Sequence, residues 1–478
     1  MSAIRAGAWT AGSRVLAHAG QFAVFLVAVR VLSAAEFGIF AMVAAWVVIL
    51  SQFSQAGWPE YVMQWTGPER RLQQVLSVSL GLGILLGLVG VGSGWLFLLE
   101  DQTTGHLIWV LALTIPLASL GSAYAGVLNL RDRLIAAAAA SSLGEVANMT
   151  VSILALLNDQ GVLALAYGRL AGILTWLVAS FLMVRLLPDP RVTMAEFRQI
   201  FSFAWRIIAV RLLMNLRLYA ATLVIGFYLG ATDAGYFRAG QRLVGALSEV
   251  LGEPTRVLSW SLFRPARQQP DGSDKGFGPT ATRFFSALLA ISVPLFLLLL
   301  VHAEDLVMVV LGPNWLPTVP VVQILALAYL LYAPGTANEA ILSLAGQVRL
   351  LPYLVSAYAA VGLVLTVLAA RMGLQATAWA QVLVALIILL NTAYVHRRYA
   401  GIHWSAIMRD LWRVPIATVV MLIVNQGAAM VGWVAALPPA PRMVLCSILA
   451  LLAYGLVMVL LDRNLADRLR RRLGGRGQ

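Results

Sequence analysis

Cysteine is nearly absent from this chain. The one present, Cys446, falls inside the last apolar stretch, so neither a disulfide framework nor a cysteine-based metal site is available. Charge is scarce too: Asp, Glu, Lys and Arg make up 12% of 478 residues, against about a quarter in soluble chains. Long polar stretches are also missing. The longest segment between apolar runs lies near 260–282, which leaves no room for a soluble domain. No Gly-rich loop of the Walker type is present, so ATP hydrolysis is not expected and no cofactor is implied. The only acidic cluster of note is Glu100-Asp101-Gln102. It lacks obvious partners in sequence, which weighs against a membrane glycosyltransferase or polymerase.

What is abundant is apolar sequence, at 60% of residues. Crossing a hydrocarbon core of about 30 Å takes roughly 20 residues, and the chain offers fourteen such stretches, near 9–31, 38–60, 75–98, 107–129, 134–157, 161–185, 204–229, 234–259, 284–302, 319–345, 352–370, 374–395, 414–434 and 442–461. This predicts an all-α integral membrane protein. The net charge of +13 suggests nucleic acid at first, but its distribution says otherwise. Arg70-Arg71, Arg131, Arg133, Arg191, Arg198, Arg264, Arg267, Lys275, Arg397-Arg398 and the Arg-rich tail all follow even-numbered spans. That bias places both termini in the cytoplasm, and the tail beside anionic lipid. Arg14, His18 and Gln21 interrupt the first apolar stretch, so it reads as a retained helix and not a signal peptide.

The chain also repeats itself. Leu32-Ser-Ala-Ala-Glu-Phe-Gly-Ile-Phe40 returns 197 positions later as Leu229-Gly-Ala-Thr-Asp-Ala-Gly-Tyr-Phe237. Leu111-Ala-Leu113 through Gly121-Ser-Ala123 answers Leu325-Ala-Leu327 through Gly335-Thr-Ala337, and Gly161 through Tyr167 answers Gly373 through Trp379. Three echoes in one order make a six-span unit. An even number of spans returns the chain to its starting side, so two like-oriented lobes are expected, 1–203 and 204–398, with 399–478 an appendix of two spans and a basic tail.

Ionisable residues within spans are costly in lipid and point to a bundle interior or a wet cavity. The arginines there are Arg14, Arg169, Arg206, Arg211, Arg217, Arg238, Arg242 and Arg256. Arg14, His18 and Gln21 share one helical face, and the repeat offset carries Arg14 to Arg211 and His18 to Asn215. Arg238, Arg242, Gly245, Glu249, Glu253 and Arg256 form a continuous polar stripe. Arg14, His18, Arg211, Asn215, Arg217, Arg238 and Arg242 are therefore expected to line the cargo cavity. Glu145, Glu249, Glu253 and Glu339 remain open between ion coupling and structural pairing. Arginine outnumbers acid, and its planar fork suits phosphate oxygens, so the cargo should be an anion.

On Arg30-Val-Leu-Ser-Ala-Ala-Glu-Phe-Gly38, on Ile225-Gly-Phe-Tyr-Leu-Gly230 with Ala234-Gly-Tyr236, and on Leu311-Gly-Pro-Asn-Trp315 leading into Gln323-Ile-Leu-Ala-Leu327, the chain resembles Wzx-type polysaccharide flippases. These belong to the multidrug/oligosaccharidyl-lipid/polysaccharide exporter superfamily. The resemblance covers about 8–398 and implies two six-helix lobes that open alternately. It also implies a polyprenyl-diphosphate-linked oligosaccharide as cargo, an inner-membrane location and polysaccharide polymerase machinery as a partner. Likeness to peptidoglycan-precursor flippases implies that the last two spans flank the lipid tail. A cation-coupled drug exporter of the same superfamily is the competing reading; it would present acids where this chain presents arginine.

Overall fold

The computed structural model describes residues 2–55, 57–98, 101–269 and 276–461; the side chains of 2–11, 13–15, 206, 209–210 and 212–218 lie outside the description. Among the described residues there is helix and no strand. Contacts divide the chain into two units, Met1–Arg238 and Ala239–Gln478.

The first unit is built from α1 (Ser2–Val31), α2 (Ala34–Gln55), α3 (Trp58–Met63), α4 (Glu69–Leu98), α5 (Gln102–Ala112), α6 (Thr114–Leu130), α7 (Leu134–Leu157), α8 (Leu163–Val184) and α9 (Met194–Leu229). It closes with the start of α10 (Ala231–Ala266), which runs on into the second unit. Among the described residues, eleven helical stretches are long and apolar enough to cross a membrane; the sequence suggests fourteen, and parts of α1 and α9 lie outside the description. In α10 it is charge that breaks the apolar run: Arg238, Arg242, Glu249, Glu253 and Arg256 all fall within it. Such a helix needs protein or water around its polar parts.

The first repeated block proves to be a helix start with a packing rule attached. Ser33 and Glu36 form a capping box: the Ser33 amide and hydroxyl donate to the Glu36 carboxylate at 2.9 and 2.8 Å, and the Glu36 amide donates back at 3.3 Å. One turn later the two copies of the block meet. A Cβ on Gly38 would overlap the carbonyl oxygen of Ala231, and a Cβ on Gly235 would overlap that of Ala34. The repeat offset maps Gly38 onto Gly235 and Ala34 onto Ala231. The contact is therefore reciprocal, as at a two-fold axis.

The other echoes are equally physical. Gly161 and Gly373 both take positive φ, at 55° and 109°, where the chain turns into α8 and into its counterpart α16 (Leu374–Ala400). Tyr124 on α6 donates to the Leu186 carbonyl at 2.8 Å. Its counterpart in the repeat is Asn338, which bonds Thr392 and His396 on α16 at 2.9 and 2.8 Å.

Small residues set the helix spacing in the first unit, as expected where lipid removes the hydrophobic drive for helices to associate. Gly83, Gly87, Gly90 and Gly94 of α4 are all buried and lean on α5 and α6, a Cβ on Gly83 falling 2.7 Å from the Pro116 Cα. Gly144, Gly168 and Gly172 do the same between α7 and α8. Asp101 is a helix cap, its carboxylate accepting from the Thr103 and Thr104 amides at 3.0 and 3.2 Å. Capping thus accounts for Asp101 of the acidic cluster, while Glu100 lies outside the described residues.

Arg71, only 8% exposed, staples this unit together. It donates to Tyr61 at 3.3 Å, to Gln74 at 3.1 Å and to Gln199, pairs with Glu196 at 3.4 Å, and lies over the Trp65 ring. Glu196 closes a capping box with Thr193 at the start of α9.

The second unit continues with α11 (Phe277–Val301), α12 (Ala303–Val310), α13 (Val319–Tyr332), α14 (Asn338–Leu344) and α15 (Leu350–Ala370), followed by α16, α17 (Trp404–Asp410), α18 (Arg413–Met430), α19 (Gly432–Ala435) and α20 (Pro439–Leu461). Single 3-10 turns at Pro313–Thr318 and Ala333–Ala337 flank α13. The last two long helices, outside the repeat, are tied in by polar contacts. Arg442 donates to Asp305 at 2.6 Å, His302 and Asn425 bond at 2.8 Å, and Tyr454 donates to the Ala290 carbonyl at 2.7 Å.

Two outcomes follow from this packing. Gly38→Val should destabilise the protein by about 1–3 kcal/mol through overpacking and lower its melting midpoint in detergent, whereas Gly81→Ala, with nothing within 4 Å of the new Cβ, should not. The Thr193 amide, Gln74 and the Thr193 hydroxyl hold the Glu196 carboxyl down at about 2 from its ordinary 4.5. A depressed folded value means that its stabilisation is complete above pH 4.5 and fades as pH falls towards 2. Melting curves against pH should show that loss in the natural protein and a flatter profile in Glu196→Gln.

Candidate functional site

Within the first unit, α2 presents Phe37, Phe40, Ala41, Ala44 and Val48 to a cavity of about 110 Å³ that Arg169 of α8, Tyr219 of α9 and Arg238 of α10 complete. Those α2 positions recur at helical spacing, so one face of the helix forms the wall. The Arg238 guanidinium lies 5.4 Å over the Tyr219 ring, a cation–π placement that orients the side chain. Ala41, which the repeat pairs with Arg238, is part of the same lining. Where one copy of the repeat has a long cation, the other has a methyl group, and the difference opens space.

Arg169 is positioned by its neighbours. Gly168 and Gly172 seat α8 tightly against Ser152, Asn148 and Gly144 of α7. That packing brings Arg169 within electrostatic reach of Glu145 and Tyr219. Glu145 accepts from Gln21 of α1 at 3.2 Å through one oxygen; its other oxygen is buried with no hydrogen-bond partner. The cavity thus combines two guanidiniums, an aromatic ring and an apolar wall, in a space equal to about three to four waters. Its chemistry suits a phosphate-sized anion.

A second cation lies further along α9. Arg211 pairs with Glu60 of α3, and the eight residues from Arg211 to Tyr219 place it about 12 Å from the ring along the helix axis. Arg238 and Arg211 of the expected set are therefore located, while the side chains of Arg14, Asn215 and Arg217 lie outside the described residues. His18 is exposed on α1. In the second unit, Arg242 and Glu249 approach to 3.9 Å along α10, and Arg256 pairs with Glu253 one turn on. Glu339 is exposed on α14, where its neighbour Asn338 makes the bonds. Sequence reasoning counted Arg169 among the arginines within spans but did not carry it into the expected cavity set, and it did not single out Tyr219 or Glu60. A signal for Arg169 existed: it stands inside Gly168-Arg-Leu-Ala-Gly172, a small-residue spacing that buries one helix face and turns the adjacent residue inward.

Residues 27–320 match the polysaccharide biosynthesis protein family. The chain belongs to that family. A curated relative, the succinoglycan biosynthesis transport protein ExoT of Rhizobium meliloti (strain 1021), is 23% identical over 324 residues, 66% of this chain. The match spans 65% of that relative's length. In fold, this polysaccharide biosynthesis protein is similar to the lipid II flippase MurJ in an inward closed conformation, with a TM-score of 0.77 at 12% identity over 97% of this chain and 100% of that one. It is also similar to an inward-facing multidrug resistance MATE transporter, with a TM-score of 0.61 at 14% identity over 82% and 95%. The chain is thus a multi-pass membrane protein of the polysaccharide biosynthesis family, with a helical fold like that of those two structures.

The electropositive lining is directly testable. In a Cys446→Ser background, Ala44→Cys should react about tenfold faster with a sulfonate-bearing methanethiosulfonate than with a trimethylammonium one of similar size, the rate ratio reporting the local potential.

Proposed function

We propose that this protein flips a polyprenyl-diphosphate-linked oligosaccharide across the cytoplasmic membrane of a bacterium during surface polysaccharide synthesis. The observation that carries the reading is the cavity where Arg169 and Arg238 converge beside Tyr219. The diphosphate is the one strongly anionic, sugar-independent part of such a cargo, and arginine forks match its oxygens. Arg211, about 12 Å away along α9, supplies an earlier station on the side of the basic loops. The family, a relative named for succinoglycan transport and a fold neighbour named a lipid II flippase support the same cargo class.

In this account the lobes 1–203 and 204–398 expose the cavity alternately, the sugar crosses in water, and the lipid tail stays in the bilayer beside the last two spans. Both termini are cytoplasmic. Without a nucleotide-binding loop, direction comes from an ion gradient, the membrane potential or consumption of cargo by a polymerase on the far side. The drug-exporter reading fares worse because two guanidiniums repel the cations such exporters carry.

Replacing Arg238 or Arg211 by Glu removes a charge-assisted bond and adds repulsion. Surface polysaccharide should fall at least about tenfold in either variant, with lipid-linked repeat units accumulating on the cytoplasmic leaflet. Normal polysaccharide without accumulation, at natural protein levels, would overturn the proposal.

A further inference from the structure

Arg211 is held by a carboxylate that is itself poorly satisfied. Glu60 reaches it with one oxygen, while the other oxygen is buried with no hydrogen-bond partner. A carboxylate in a stable buried pair uses both oxygens, so this one is bound on one side only. Its platform is also unusual. Glu60 sits on α3, six residues cut off from α2 by Gly57 at φ 90° and led by Pro59. Gly57 packs directly on Ala204 of α9, where a Cβ would come within 2.6 Å of the Ala204 Cα. The start of this short helix therefore rests on α9, and Glu60 reaches Arg211 on that same helix. Both side chains keep contact with solvent, at 41% exposure for Arg211 and 29% for Glu60.

Resting on the flippase reading, we infer that Glu60 is an exchangeable counter-ion. It occupies Arg211 until a diphosphate displaces it, and so acts as a specificity residue that admits only anions able to outcompete a carboxylate. The exchange is balanced in charge. One oxyanion leaves the guanidinium as another arrives, and no bare cation is exposed to the low-dielectric interior. A neutral or singly charged headgroup has no means of releasing Glu60, which excludes ordinary membrane lipids from the site.

The test uses the full-length protein in nanodiscs, with inorganic pyrophosphate and a polyprenyl diphosphate as probes. Glu60→Gln should bind polyprenyl diphosphate about tenfold tighter than the natural protein, Glu60→Asp should stay near the natural affinity, and adding Arg211→Gln to Glu60→Gln should cancel the gain. A gain with both probes identifies the bare diphosphate as what is read; a gain with the lipid alone shows that the anion must be presented from the bilayer. Either supports exchange. On the natural protein, carbodiimide labelling of Glu60, read by mass spectrometry, should rise when polyprenyl diphosphate saturates the protein, a result independent of how the variants fold. Binding that Glu60→Gln leaves unchanged or weakens, or labelling that the probe does not alter, overturns the inference while leaving the flippase reading intact. Failure of polyprenyl diphosphate to bind the natural protein at all overturns both.

Discussion

A guanidinium cannot be left alone in hydrocarbon, and the first unit is arranged around that constraint. Each described arginine of its apolar helices has an answer: Arg211 has Glu60, Arg169 has Glu145 nearby, and Arg238 has the Tyr219 ring. Outside the apolar core Arg71 engages Tyr61, Gln74, Gln199 and Glu196 at once. The positions separate two uses of one residue type. Arg71 holds the scaffold, whereas Arg169 and Arg238 line a cavity. α10, with Arg238, Arg242, Glu249, Glu253 and Arg256 along it, is too polar to face lipid on every side.

The duplicated block turns this chemistry into geometry. Ala34 and Gly38 against Ala231 and Gly235 bring two backbones together where no side chain fits. The same helix faces run on to Phe40 and Ala41 on one side and to Phe237 and Arg238 on the other. A symmetric seam thus leads directly into an asymmetric pair, alanine facing the same cavity as arginine. Duplication supplies the scaffold, and divergence at one position supplies both the charge and the room for it.

Much of this was legible in the residues. Helical spans, the repeat, the exporter fold and the concentration of arginine all follow from hydropathy, spacing and motif. The limits were of two kinds. Apolar length alone counted α10 as an ordinary span, although the charges along it make it too polar to face lipid on every side. Partners distant in sequence were invisible as well. Glu60 and Arg211 are 151 positions apart, and Gln21 and Glu145 are 124 apart, so only tertiary packing reveals that these side chains meet. Arg169 was visible as an arginine within a span, but its direction depends on the glycines beside it. Within α10, spacing placed Arg242, Glu249, Glu253 and Arg256 on one stripe and left their roles open; in the structure Arg242 approaches Glu249 and Arg256 pairs with Glu253.

The central claim is that anion recognition, and not sugar recognition, commits the cargo. Its most direct measurement is flipping in proteoliposomes of two lipids that share one oligosaccharide and one polyprenyl chain, joined through a diphosphate in the first and through a neutral ether in the second. The account predicts protein-dependent flipping of the diphosphate-linked lipid alone, competed by polyprenyl diphosphate without sugar. Equal flipping of the two lipids would contradict it.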